Sequence, residues 1–196
     1  EHMNADSSQV LSKFRKADSL AILHDNKSNM LWTSIRIAKY YLNLGYLNNE
    51  EEIRHYTRVQ ELSKDTSLHA ETRYLGYRYL GNRHTRYNDF NTAFEYYYQA
   101  YEMARIQDDV ELIVKLCNNL LLITERTNDT TGNANLISKT RSLIPENDYY
   151  YQALYYSNLA GYNYLDDSTK EKEYLDKALL NFNRSKNNWI FWCRIY

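Results

Sequence analysis

The chain has 196 residues, enough for one sizeable domain with its own core. Its 24 basic and 25 acidic residues leave a formal net charge of −1, which excludes a global attraction for nucleic acid or anionic lipid. One proline, five glycines and 21 tyrosines exclude a turn-rich β fold and favour long helices with aromatic rings in their seams.

Glu1-His2-Met3 reads as a cloning remnant, so residues 4–196 are expected to form one helical repeat domain, a fragment of a longer protein. Helical periodicity then dominates. A first helix over 8–24 carries Val10, Phe14, Ala17 and Ala21 on one face. A second spans 29–44. A third, 49–64, has Ile53, Tyr56, Val59 and Leu62 as its apolar face, with Asn49 and three glutamates at its positive end. The fourth, 67–87, starts from Ser67, and the fifth, 89–107, from the cap pair Asn88-Asp89. The fifth buries Phe90, Ala93, Phe94, Tyr97, Tyr101 and Ala104. In the sixth, 108–127, Asp108 and Glu111 have capping-box spacing, and Val110, Ile113, Val114, Cys117 and Leu121 line one face. The seventh, 131–143, ends before Pro145, and the eighth covers 146–165. The ninth, 168–183, starts from a Ser168–Glu171 box and should bury Leu175, Ala178, Leu179 and Phe182. A further start at Asn188 leads into Trp189, Ile190, Phe191 and Trp192, aromatics expected to pack inward or into a partner molecule.

The two cysteines, Cys117 and Cys193, lie in apolar stretches and read as buried free thiols. No run approaches the roughly 20 apolar residues of a membrane span, so no membrane insertion is expected. The histidines His2, His24, His55, His69 and His84 have no partner at metal-ligand spacing. Phosphate-binding loops and nucleophile elbows are absent from the sequence. The acid pairs Asp108-Asp109 and Asp166-Asp167 fall at helix starts, where capping accounts for them. No metal, cofactor or catalytic group is therefore expected, and the chain reads as no enzyme. The runs Tyr96-Tyr97-Tyr98 and Tyr149-Tyr150-Tyr151 point in three directions on a helix, which suits seam packing better than a ligand platform.

One segment has a register of its own. Tyr77, Leu80, Gly81 and His84, followed by Phe90, Ala93, Tyr97 and Ala100, place small residues where paired helices approach and large ones on either side. This register resembles a tetratricopeptide repeat (TPR). Weaker echoes are Ile37, Ala38, Tyr41, Gly45 and Leu47, and then Tyr156, Leu159, Ala160, Leu175 and Ala178. The unit over 108–144 offers Leu121 and Ala134, with the late Pro145. Units recur at about 40 residues, against roughly 34 in the family at large. That longer period is similar to the repeats of bacterial peptide-pheromone receptors and of sensor regions in bacterial regulators. The resemblance implies an all-α, right-handed superhelical solenoid of antiparallel helix pairs.

Four arginines, Arg73, Arg78, Arg83 and Arg86, crowd one helix. Arg78, Asn82 and Arg86 stand at i, i+4 and i+8 and so share a face. The resemblance turns Arg78, Asn82, Thr85 and Arg86 toward a concave groove and adds Lys39 and Asn43 from the preceding unit. An arginine fork binds a carboxylate at two points, and an asparagine amide can hold a peptide backbone. The competing reading is a solvated face with ion pairs to Glu71 or Glu95. Nucleic-acid binding is disfavoured, because Asp108, Asp109 and Glu111 follow closely. The expected function is non-catalytic recognition of a protein or peptide on the concave face, as the sensing or docking region of a bacterial regulator. A purely structural scaffold is the alternative, with an enzyme a distant third. A homodimer is also open to the chain, and export to the periplasm is favoured over the cytoplasm.

Overall fold

The computed structural model describes residues 2–45, 49–127, 130–163 and 168–185. All secondary structure among them is helical, with no strand: α1 (His2–Leu23), α2 (Lys27–Asn43), α3 (Glu50–Lys64), α4 (Ala70–Arg86), α5 (Phe90–Ile106), α6 (Val110–Arg126), α7 (Thr130–Leu143), α8 (Tyr149–Asn163) and α9 (Ser168–Arg184). Cys193 and the aromatic run from Trp189 lie outside the described residues.

Three connections are built alike. Asp25, Asn88 and Asp108 adopt left-handed φ values of 46°, 57° and 53°, which Asn and Asp tolerate better than other side chains. Each closes the helix before it with the paired bonds of a Schellman turn. Asp25 N donates to Ile22 O and Asn26 N to Ala21 O; Asn88 N donates to Thr85 O and Asp89 N to His84 O; Asp108 N donates to Arg105 O and Asp109 N to Ala104 O. The next residue is already the cap of the following helix. Asn26, Asp89 and Asp109 accept the backbone N–H of Asn29, Thr92 and Leu112. The expected Asp108–Glu111 capping box therefore does not form: Asp108 occupies the left-handed position that ends α5, and Asp109 caps α6 instead, with Leu112 at the position where a box needs an acid. Ser67 is no cap either: it donates to the Asp65 carboxylate within the preceding turn, and α4 starts after His69.

The chain groups into two compact units, residues 1–103 and 104–196. In the first, α1 packs on α2, α2 on both α3 and α4, and α3 on α4. Leu31, Ile37, Ala38, Val59, Leu80, Ala93, Ala100 and Tyr101 have no exposed surface there. Two glycines mark close approaches between helices. A Cβ on Gly76 would fall 1.9 Å from Ser63 Oγ, and one on Gly81 would fall 2.6 Å from the Tyr97 ring. In the second unit α6 packs on α7 and α8, and α8 on α9. Ile113, Val114, Leu116, Cys117, Leu120, Leu121, Ala153 and Leu159 form its core, and Tyr155 donates to Ile137 O at 2.8 Å.

Two expected apolar faces are turned. On α3, Ile53 is exposed, while Glu52, His55, Val59 and Ser63 are buried. A carboxylate can occupy that face because Arg83 of α4 meets it with two bonds, Nε to Oε1 at 2.7 Å and Nη2 to Oε2 at 3.1 Å. The guanidinium also lies over the Tyr56 ring at 3.8 Å and the Tyr87 ring at 4.6 Å. His55 reaches Ser34 Oγ at 3.1 Å, and burial lowers its pKa. On α9, Ala178 and Phe182 are buried as expected, but Leu175 and Leu179 are 47% and 50% exposed. Asn181 takes part of the inner surface instead and donates to Lys177 O.

Candidate functional site

The first unit carries a groove between α2 and α4. Matched residues along it, Asn29 with Thr72 and Lys39 with Asn82, show that the two helices run side by side in the same direction. The half nearer their N-termini holds about 400 Å3 and is lined by Leu31, Trp32, Ile35 and Leu75, with Ser28, Asn29 and Thr72 at its edge. The other half, about 100 Å3, adds Arg36, Lys39, Arg78, Tyr79 and Asn82. Among the described residues no aspartate or glutamate lines either half.

Trp32 is the centre of this surface. It is 41% exposed, its ring meets Phe14 of α1 edge-on at 5.7 Å, and the Arg36 guanidinium lies 4.9 Å above it. The packing holds the indole in one orientation while leaving a face to solvent, the arrangement of an aromatic anchor. Arg36, Lys39 and Arg78 have no ion-pair partner among the described residues; the one polar tie of Arg78 is a long bond of 3.3 Å to the Tyr74 hydroxyl. Asn82 accepts the Tyr97 hydroxyl on Oδ1 at 2.8 Å, which fixes the amide and leaves its N–H2 without a hydrogen bond among the described residues. Uncompensated cations beside apolar surface suit a ligand with carboxylates and at least one large apolar side chain.

The structure separates the residues that the sequence grouped. Lys39, Arg78 and Asn82 come together in the groove. Asn43 is exposed but does not line it, and Thr85 donates to Gly81 O of its own helix. Arg86 donates to Leu42 O at 2.9 Å and Arg73 to Ser63 O at 2.9 Å. Both guanidiniums thereby satisfy carbonyls in the last turn of another helix, where the helix dipole is negative. Arg83 is the buried partner of Glu52. Of the four crowded arginines, Arg78 alone lines the groove. The packing register fared differently: Tyr77, Leu80, Gly81, Ala93, Tyr97 and Ala100 are buried and Phe90 is half-buried. His84 is a packed imidazole between the Asp89 carboxylate (2.9 Å) and the Tyr56 hydroxyl (3.0 Å).

Sequence reasoning missed Trp32, Ile35, Arg36 and Leu75. A signal was there: Trp32, Arg36, Lys39 and Asn43 stand at i, i+4, i+7 and i+11, so the face of Lys39 extends back to the tryptophan. No group of three or more metal-ligating side chains occurs among the described residues, and no helix among them is long and apolar enough to cross a membrane.

Comparison with known proteins leads to fold alone. No protein-family model matches the chain, and no curated protein matches it. Among solved structures, BtubC (BKLC) from P. vanneervenii superposes with a TM-score of 0.67 at 13% identity, covering 95% of this chain and 74% of that one. A putative kinesin light chain from P. anserina with nearly identical TPR-like repeats gives a TM-score of 0.63 at 9% identity, covering 94% of this chain and 91% of that one. The chain is thus all-α, with a TPR-like repeat fold.

Proposed function

We propose, taking the TPR-like repeat as the starting point, that this chain is a non-catalytic module that binds a protein or peptide through the α2–α4 groove. The observation that carries the reading is the pairing of a half-exposed, rigidly packed Trp32 with three unopposed cations, Arg36, Lys39 and Arg78. A ligand apolar residue would sit against Trp32, Ile35 and Leu75, and a carboxylate would lie between Lys39 and Arg78. A fixed amide at Asn82 supports the same reading, because an oriented donor contributes to backbone recognition without a further loss of side-chain freedom. The long, degenerate repeats motivate the finer proposal that the module is the sensing or docking region of a bacterial regulator.

The test is a peptide array probed with wild-type protein and with the Lys39→Ala/Arg78→Ala variant. The variant should lose binding by a factor of about 10 or more, since a partly desolvated charge contact is worth roughly 2 kcal/mol, while its melting stays unchanged. Arg86→Ala should behave in the opposite way, lowering stability through the lost Leu42 cap and sparing the ligand. Equal binding by wild type and the double variant would remove the groove from consideration.

A further inference from the structure

Two clusters of side-chain bonds tie α1 to α3. In one, Arg15 donates to both oxygens of Glu51, and Tyr41 of α2 donates to the same carboxylate. In the other, Arg58 donates to both oxygens of Asp18 at 2.9 and 3.0 Å, and Thr33 of α2 donates to it at 2.7 Å. Glu51 and Arg58 share one stripe of α3, and His55 lies on that stripe one turn from each. We propose that His55 is an acid-sensitive latch: a proton taken up by its ring loosens both ties and lets α1 come away from α3.

The imidazole is 1% exposed, and among the described residues its one hydrogen bond joins Nδ1 to the buried Ser34 Oγ at 3.1 Å. Its Nε2 is buried with no hydrogen-bond partner among them. A neutral ring leaves that nitrogen idle, whereas an imidazolium would place an N–H and a charge there with no acceptor facing it. The surrounding groups offer no spare anion. Arg15 and Asp18 come from α1, the Tyr41 hydroxyl from α2, and Glu51, Arg54 and Arg58 from α3 itself. On the α4 side, Glu52 is closed by Arg83 and Tyr79. Three guanidiniums thus stand around two carboxylates, and each carboxylate is already held by an arginine. A proton on His55 adds a fourth cation to the set. Drawing Asp18 or Glu51 to Nε2 takes that carboxylate from a bond that secures α1. Burial is the largest influence on the ring and lowers its pKa from the ordinary 6.5; Asp18 opposes it, and Arg58 and Arg54 add to it.

An imidazole held below 6.5 in the closed state takes up a proton more readily once α1 has opened. The latch is therefore closed above pH 6.5 and weakens as pH falls below it, by at most about tenfold per pH unit for one proton. The Glu51 window lies lower, from 4.5 down to about 2, so the two responses are separate. Release of α1 also withdraws Phe14, the neighbour of Arg15, from the Trp32 ring that it meets at 5.7 Å. The indole then loses the packing that orients it. That consequence for ligand capture rests on the groove being the binding site; the latch does not.

The test is amide exchange of the whole protein at about pH 7.5 and about pH 5, followed by mass spectrometry and corrected for the pH dependence of intrinsic exchange. Protection of α1 should fall about tenfold more than protection of α6 at the lower pH. His55→Gln, which can still bond to Ser34 but takes up no proton, should remove the difference. Glu51→Gln should lower α1 protection at both pH values and leave their ratio unchanged. Were His55→Gln to leave α1 unprotected at both, the wild-type ring decides: the His55 Cε1–H resonance should titrate below 6.5, in step with the loss of α1 protection. Equal protection of α1 at the two pH values would overturn the inference. So would a His55 midpoint at or above 6.5, or a folded His55→Gln protein that keeps the wild-type response. No ligand is present in any arm, so a groove that binds nothing leaves the latch standing, and a failed latch leaves the groove untouched.

Discussion

Replacing Gly161 by alanine should stabilise the protein, whereas replacing Gly81 by alanine should leave stability unchanged or lower it. Both glycines lie inside helices, α4 and α8, so each substitution gains about 1 kcal/mol of helix propensity. At Gly161 nothing among the described residues stands within 4 Å of the new Cβ, so the gain is realised in full. At Gly81 the new Cβ would meet Tyr97 Cδ1, Cε1 and Cγ at 2.6, 2.7 and 2.9 Å. The ring cannot turn aside freely, because its hydroxyl donates to Asn82 Oδ1 at 2.8 Å and it is 3% exposed. Overpacking of that kind costs about 1–3 kcal/mol, which offsets the propensity gain or exceeds it by up to about 2 kcal/mol. In a Tyr97→Ala background the clash is gone, and Gly81→Ala should become stabilising by about 1 kcal/mol even though the background is itself weakened by roughly 3–5 kcal/mol. Urea unfolding followed by circular dichroism measures the four variants against the wild type, with amide exchange in α4 and α8 assigning each change to its own unit. A Gly81→Ala variant as stabilised as Gly161→Ala would refute the close approach of α4 and α5.

Arg83→Met should destabilise the first unit by about 3–5 kcal/mol by leaving Glu52 buried and unpaired, and adding Glu52→Leu should recover much of that loss in thermal melts. Hydrogen bonds from Arg15 hold the Glu51 carboxylate at about 2, below its ordinary 4.5. A depressed carboxylate contributes stability that is fully present above pH 4.5 and is lost as pH falls toward 2; Glu51→Gln should flatten the acid limb of a stability–pH profile in that window. Burial pushes the Cys117 thiol up to about 11, so peptide mapping after maleimide treatment at neutral pH should find Cys117 unlabelled in the native protein and labelled in denaturant.

Periodicity and capping residues located nearly every helix, because both are local properties of a few neighbouring side chains. The register from Tyr77 to Ala100 was legible for the same reason: the small residues Gly81 and Ala93 mark a close approach whatever lies opposite. The destination of a charged side chain was not legible. Arg83 and Glu52 are 31 positions apart, and nothing near either one announces that the other will arrive to make burial tolerable. The four arginines of α4 look equivalent in sequence, yet their helix rotates each toward a different neighbour: Ser63 O, the groove, Glu52 and Leu42 O. Trp32 was not singled out, because only the placement of α1 and α4 around it leaves one face open.

The joints at Asp25-Asn26 and Asn88-Asp89 contain no slack. Each second residue closes one helix with its backbone N–H and opens the next with its side chain, so a single added residue would sever the two functions and disturb both helices together. Length variation between homologous chains is expected to avoid these dipeptides. It should collect in connections such as 65–69, where the turn around Asp65 and Ser67 is separate from the start of α4. For anyone wishing to graft an epitope, split the chain or splice repeats from another source, these compact elbows are the places to leave alone and to copy whole.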